Sequence, residues 1–334
     1  RIMFPLQMLI TAVAVWLLTS VQTYEVFLLA ALGLGLAGGS FIVGVAYTSR
    51  WFDKEHQGTA LGIFGAGNVG AAVTNFAAPF LVVALGWEGT ARVYAIVLAI
   101  VAVLFFLLAK TDPVQQERKR TGAGPVSAGS MLEPLKNIQV WRFATYYFFV
   151  FGAFVALASF LPRYYVGAYG LELTTAGVFA GLYSLPGSIF RALGGWISDR
   201  YGGDTVTWWV FWVCIICLFF MSYPPTSVTI HRINEDLTFS IATGITLFTV
   251  LAFIVGIAQG IGKASVYRSL ADHYAGNMGP VGGLVGVIGG LGGFTLPIIF
   301  GIAVDATGVR STTFMLMFGV LAGVMIWTWM AARG

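Results

Sequence analysis

Charge is scarce in this sequence: 18 Lys and Arg and 14 Asp and Glu are spread over 334 residues, so charged residues make up only 10%. A soluble globular chain carries about 25%. Folding in water needs far more polar surface than this chain can supply, and a soluble globular protein is excluded. Cysteine and histidine are rarer still, at two and three residues. That leaves too few ligands for a metal centre. With no paired nucleophile and base in the sequence, it argues against an enzyme and predicts no cofactor. Cys214 and Cys217 do form a C-x-x-C, but inside the apolar run TVTWWVFWVCIICLFFMSY, where an i, i+3 pair merely shares a helix face. The net charge of +4 is scattered among loops and forms no patch, which argues against nucleic acid as a partner.

Apolar residues, by contrast, make up 58% of the chain, and they come in long runs. A bilayer core about 30 Å thick needs ~20 such residues per helix. Ten runs qualify, near 3–19, 25–49, 58–84, 92–109, 140–161, 174–197, 205–222, 241–268, 281–303 and 311–331. The fold class is therefore an all-α membrane protein whose partner is the lipid bilayer. The first run begins directly after Arg1, with neither a secretory leader nor an initiator Met, which suggests a piece of a longer chain. Residues 110–138, KTDPVQQERKRTGAGPVSAGSMLEPLKNI, read as a solvated linker between a four-span bundle at 1–109 and a six-span bundle at 139–334. Placing Arg1 inside puts twelve of the 18 basic residues on the cytoplasmic side and four opposite. The positive-inside rule then predicts a cytoplasmic linker and C-terminus in an inner, plasma membrane. Arg191 and Lys263 belong to neither side.

The two halves share a weak repeat. GTALGIFGAGNVG carries Gly58, Gly62 and Gly65, and GGLVGVIGGLGGF carries Gly282, Gly286 and Gly289 at the same spacing. With Gly67, Gly70, Gly290 and Gly293 these form glycine-rich seams where helix backbones approach closely and can rock against each other. The register pairs spans one, two and three with seven, eight and nine, leaving five and six without upstream partners. A six-plus-six architecture follows, with this chain as spans three to twelve of it.

Arg191 lies eight residues before Asp199 in GLYSLPGSIFRALGGWISDRYGG, roughly 12 Å along a helix and near the midplane. A guanidinium there is costly unless neighbouring carbonyls satisfy it or an anion neutralises it. Lys263, nine residues before Asp272 in AQGIGKASVYRSLADHY, lies at similar depth, and the repeat register sets it facing Phe41. It could titrate, act as a fixed counter-charge, or be satisfied by carbonyls. The acids fall in loops or at span ends, so two interior cations with no carboxylate predict a carrier for an anion. Tyr147, Phe151 and Phe154 share a helix face at i, i+4 and i+7, the spacing of either a packing stripe or a wall. Phe41 lies on span two, while Asn68 and Asn75 on span three call for polar partners.

The stretch GGWISDRYGG resembles the loop signature of the major facilitator superfamily, in which an Asp–Arg pair, here Asp199 and Arg200, latches the cytoplasmic helix ends. With FGAGNVGAA, VGGLVGVIGGLGGF and SLPGSIFR, the whole chain resembles the nitrate/nitrite porter family. The resemblance implies a substrate site of Arg191, Tyr147, Phe151, Phe41 and Asn68, to which the residue reading adds Lys263. It also implies alternating access by a monomer carrying nitrate and nitrite, and a second substrate arginine on a helix this chain lacks, so residues 1–334 alone should not transport. Nitrate/proton symport is the expectation. Nitrate/nitrite exchange, a carrier for another small anion such as cyanate or an organic acid, and a non-transporting anion sensor are the alternatives.

Overall fold

The computed structural model describes residues 2–21, 23–121, 133–233 and 235–331. Arg1, Arg333 and residues 122–132 of the linker lie outside the described residues, as does the side chain of Asn75. Helices α1 (Met3–Leu18), α2 (Tyr24–Ser49), α3 (Gln57–Gly65) and α4 (Val69–Leu108) come first, and α5 (Pro113–Thr121) opens the linker. After it come α6 (Ile138–Tyr147), α7 (Phe154–Tyr169), α8 (Leu173–Tyr201), α9 (Gly203–Ser222), α10 (Ile245–His273), α11 (Met278–Thr307) and α12 (Thr312–Ala331). Among the described residues eight helical stretches are long and apolar enough to cross a membrane. Of the ten runs read from the sequence, α1 is shorter than these, and the third is broken by a 3-10 turn at Ala66–Asn68.

Three features depart from the sequence reading. The loop expected between the third and fourth runs shrinks to one residue, Gly86, whose φ of 71° and ψ of 172° separate α4 into two helical segments. Only glycine adopts that conformation without a Cβ clash. Between the seventh and eighth runs the chain forms an antiparallel hairpin of β1 (Thr226–Ile230) and β2 (Leu237–Ile241), which takes Ile241 from the eighth run and sets Val228 opposite Phe239. The third departure is a π-helical segment, Phe148–Ala153, which joins α6 to α7 without interrupting the span. A π turn holds more residues than an α turn, so Phe154 rotates off the face that holds Tyr147 and Phe151.

Burial is uneven: in the most apolar window of Ile138–Tyr169, 61% of residues are buried, against 6% in that of Tyr24–Ser49. The dense core therefore lies among α6, α7, α9 and α10, with α8 and α11 packed against it. The start of the second segment of α4 meets the end of α1, where Arg92 lies 3.2 Å from Thr19, while Phe105 packs on Phe4 at 5.0 Å. These two helices run antiparallel. At the linker end Tyr47 donates to the Lys110 carbonyl at 2.6 Å and Arg50 pairs with Asp112 at 3.3 Å. Asn137 caps α6 by accepting from the Gln139 N–H at 2.9 Å, as Asn does at helix starts.

Candidate functional site

Helix α3 lies along the linker-side half of α8, and glycine makes this approach possible. A Cβ on Gly58 would overlap Asp199 and the Gly195 carbonyl, one on Gly62 would meet the Arg191 carbonyl at 2.7 Å, and one on Gly65 would overlap the Arg191 side chain. Its last glycine thus makes room for a guanidinium. Arg191 is 1% exposed, with its Cζ 4.8 Å from the Phe41 ring centroid. Its Nε and Nη1 have no hydrogen-bond partner, so carbonyls do not satisfy those two nitrogens. The nearest acid along its own helix, Asp199, is about 12 Å away by helical rise.

Around this cation stands a set of rings. Tyr147 and Phe151 are stacked at 5.0 Å and 10°, and Tyr267 meets Tyr147 edge-on at 4.9 Å and Phe41 edge-on at 5.6 Å. Gly289 seats the stacked pair, since a Cβ there would overlap Tyr147 and press Phe151 at 3.2 Å. The Tyr147 hydroxyl is buried without a well-aligned hydrogen bond, and it lies within reach of the Arg191 guanidinium and the Tyr267 hydroxyl. Tyr267 was not singled out from the sequence. Its signal was its position, one helical turn beyond Lys263 on the same face of α10.

Lys263 is fully buried and its Nζ has no hydrogen-bond partner. Instead of facing Phe41 it stands 3.3 Å from the Phe154 ring centroid, and Arg191 is the cation over Phe41. Phe154 stacks on Tyr183 at 5.0 Å, and the Tyr183 hydroxyl donates to Gln259 Oε1 at 2.5 Å. Lys263 and Arg191 repel electrostatically, so both cations belong to one interior. Asn68 ends the 3-10 turn that packs on α8 and is half-buried.

The expected latch is divided. Asp199 accepts from the N–H groups of Gly58 and Thr59 at 2.8 and 2.7 Å and from the Thr59 hydroxyl at 2.6 Å, and pairs with Arg268 at 2.7 Å. Arg268 also pairs with Asp272. Arg200 takes no part; it is exposed, over the Tyr201 ring at 5.7 Å. One residue along a helix turns the side chain by about 100°, which carries Arg200 away from the face of Asp199.

The glycines divide as well. A Cβ on Gly286 would meet Ile42 of α2 at 3.2 Å and one on Gly293 would meet Val155 of α7 at 3.2 Å, but a Cβ on Gly67, Gly70 or Gly290 would meet nothing within 4 Å among the described residues. Two apolar grooves of about 560 and 550 Å³ lie between helices, and neither contains Arg191. The interior around the guanidinium is filled by rings. Among the described residues no group of three or more His, Cys, Asp or Glu could hold a metal ion. Chemically, the arrangement offers a desolvated cation with free N–H donors, a free phenol and flat apolar walls.

A profile of the Major Facilitator Superfamily matches residues 1–233. The chain is 38% identical to the "Probable nitrate/nitrite antiporter NarK1" of Thermus thermophilus, covering 98% of this chain and 75% of that protein. It is 31% identical to the "Probable nitrate transporter NarT" of Staphylococcus epidermidis, covering 92% and 74%. Among solved structures it resembles the major facilitator transporter FucP in the outward conformation, with a TM-score of 0.73, 16% identity, and coverage of 97% of this chain and 80% of that one.

Proposed function

We propose that this chain, which belongs to the nitrate/nitrite porter family of the major facilitator superfamily, carries nitrate and nitrite across the inner membrane by alternating access. The observation that carries the reading is Arg191: a buried guanidinium with two unspent nitrogens and no carboxylate partner among the described residues. A planar fork fits a small planar anion with two in-plane oxygens, whereas a round halide takes only one direction of it. Phe41 on one side and the Tyr147–Phe151 stack on the other supply flat walls that suit a dehydrated flat ligand. The Tyr147 hydroxyl adds a neutral donor.

The seam of Gly58, Gly62 and Gly65 and the bonds of Asp199 hold α3 to α8 on the linker side. With the linker cytoplasmic, that contact closes the inner face and leaves the anion's path toward the outside. Inward opening separates α3 from α8, and because Gly65 borders Arg191, the same motion uncovers the guanidinium.

Nitrate/proton symport is the coupling we favour, with Lys263 as the buried titratable group beside the anion site. Nitrate/nitrite exchange is the second reading, favoured by the absence of a carboxylate from the described residues around both cations. Counterflow in proteoliposomes of the full-length protein, with and without an imposed pH gradient, tests both. Nitrate accumulation driven by the gradient alone supports symport, and uptake that requires internal nitrite and ignores the gradient supports exchange. Absence of both fluxes would overturn the transport reading.

A further inference from the structure

The β1–β2 hairpin is the largest feature that the proposed transport leaves unused. Its register pairs Thr226 with Ile241, Val228 with Phe239 and Ile230 with Leu237 on one face, and Ser227 with Ser240 and Thr229 with Thr238 on the other. Side chains alternate across a strand, so one face is apolar but for Thr226 and the other is made of serine and threonine. On the polar face Thr229 and Thr238 share a hydrogen bond at 2.9 Å. The apolar face is largely open within the described chain: Val228 is half-buried, but Ile230, Leu237, Phe239 and Ile241 are 42–47% exposed. A lone two-stranded hairpin is marginal in water, and an amphipathic one with a largely open apolar face calls for an apolar partner.

The place of the hairpin identifies that partner. Its first strand starts four residues after α9 ends at Ser222, and its second ends four residues before α10 begins at Ile245. Five-residue strands reach about 17 Å, so the hairpin stays within its own length of the membrane edge. Just below it, α9 exposes Phe219 and Phe220, the chain beyond it exposes Tyr223, and α10 exposes Leu247 and Val250. These residues belong to the lipid-facing surface, and the apolar hairpin face extends it sideways. The base is tied to the spans, with Tyr169 donating to the Thr243 carbonyl at 3.0 Å. At the turn His231 lies 3.0 Å from Asp236 and keeps polar groups at the tip.

We propose that the hairpin lies flat on the leaflet opposite the linker, its apolar face sunk into the boundary between headgroups and acyl chains and its serine and threonine face turned to water. It thereby anchors the α9–α10 end of the protein to the lipid surface, as interfacial amphipathic elements do. The occupant is lipid, as opposed to a second copy of the chain or the rest of the transporter.

The test is a single-cysteine scan of 226–230 and 237–241 in the full-length protein, spin-labelled in phosphatidylcholine liposomes. The two cysteines of this chain, Cys214 and Cys217, are buried in α9, and any others in the full-length protein are replaced by serine. Collision with lipid-soluble oxygen and with a water-soluble nickel chelate is then read at each site. The expected result is a period of two: Val228, Ile230, Leu237, Phe239 and Ile241 lose nickel contact and gain oxygen contact, while Ser227, Thr229, Thr238 and Ser240 do the reverse. Nickel contact at every site would overturn the proposal. So would protection of the apolar face that appears only at high protein-to-lipid ratio, which indicates a second copy, or only with added nitrate, which indicates a lid. The doubly substituted Phe239→Ser, Ile241→Ser protein should lose the alternation while keeping its helical circular dichroism, and alternation that survives would equally refute the assignment.

Discussion

Replacing Arg191 with Lys keeps the charge and removes the fork, which isolates the geometry on which nitrate recognition depends. Two guanidinium nitrogens, Nε and Nη1, are free of protein partners. An ammonium cannot direct two parallel donors at two oxygens of a planar anion, so one charge-assisted hydrogen bond is lost. Such bonds contribute about 1.5–3 kcal/mol each. At 1.4 kcal/mol per decade, nitrate should bind roughly ten- to a hundredfold more weakly. The contact with Phe41 at 4.8 Å is lost as well, which lowers stability by about 0.5–2 kcal/mol without favouring one anion over another. Discrimination is therefore the useful readout. Isothermal titration of the purified full-length protein with nitrate and with chloride should show nitrate weakened and chloride little changed, while a thermal-melt control follows folding. If the lysine protein binds nitrate as tightly as the parent, or loses both anions equally, the fork is not the recognition element and the site assignment fails.

Two further substitutions test the surroundings of that site. Asp199→Asn should weaken closure on the linker side, because it breaks the pair with Arg268, whose side chain like that of Asp199 is 10% exposed. Stranding a buried partner costs about 3–5 kcal/mol, and since Asp272 still engages Arg268 the loss should fall at or below the lower figure. Spin labels on the linker ends of α2 and α8 should move apart in that protein, while Arg200→Gln, at an exposed position, should leave the distance unchanged. Lys263→Met retains the contact with Phe154 but no titratable group. It should keep nitrate counterflow and lose stimulation by a pH gradient, and a gradient response that persists in the methionine protein would remove Lys263 from the coupling.

What could be read from the sequence was set by how few explanations a residue permits. A guanidinium or an ammonium in the middle of an apolar run has no inexpensive bland role, so Arg191 and Lys263 stand out from the string alone. Tyr267 and Tyr183 do not, because tyrosines are common in membrane helices and only the fold brings these two against Tyr147 and Phe154. The π segment hides for a different reason. The face shared by Tyr147, Phe151 and Phe154 assumes 3.6 residues per turn, and one wider turn sends Phe154 to Lys263 instead of to the stack. Adjacency misled at the latch, where the motif supplies Arg200 beside Asp199 but the partner arrives from a different helix, 69 residues on. The hairpin was legible in principle, since SVTI and LTFS alternate with period two, but a short alternation between two long apolar runs is easily read as a polar loop.

Glycine shows most clearly what spacing does and does not encode. Gly58, Gly62 and Gly65 repeat as Gly282, Gly286 and Gly289, and equal spacing suggests equal duty. The surfaces they meet are different. The first set lies on α8, reached across the linker from its own helix, whereas Gly286 faces Ile42 of α2, and Gly289 and Gly293 seat residues of α6, the π segment and α7 within the same C-terminal group of helices. A glycine that seats a neighbour moving with it contributes to packing and stays closed throughout a transport cycle. A glycine between groups that separate must open. The hinge-like demand therefore falls on the α3 seam, and a bulky residue at Gly62 would wedge the linker side apart, whereas one at Gly293 would distort a single group of helices. The first motif thus lies wholly on the moving surface, whereas the second is divided between Gly286, which faces α2 of the other half, and Gly289, which is fixed within its own group. Arg191 lies at the edge of the moving one, where Gly65 covers it in the closed state.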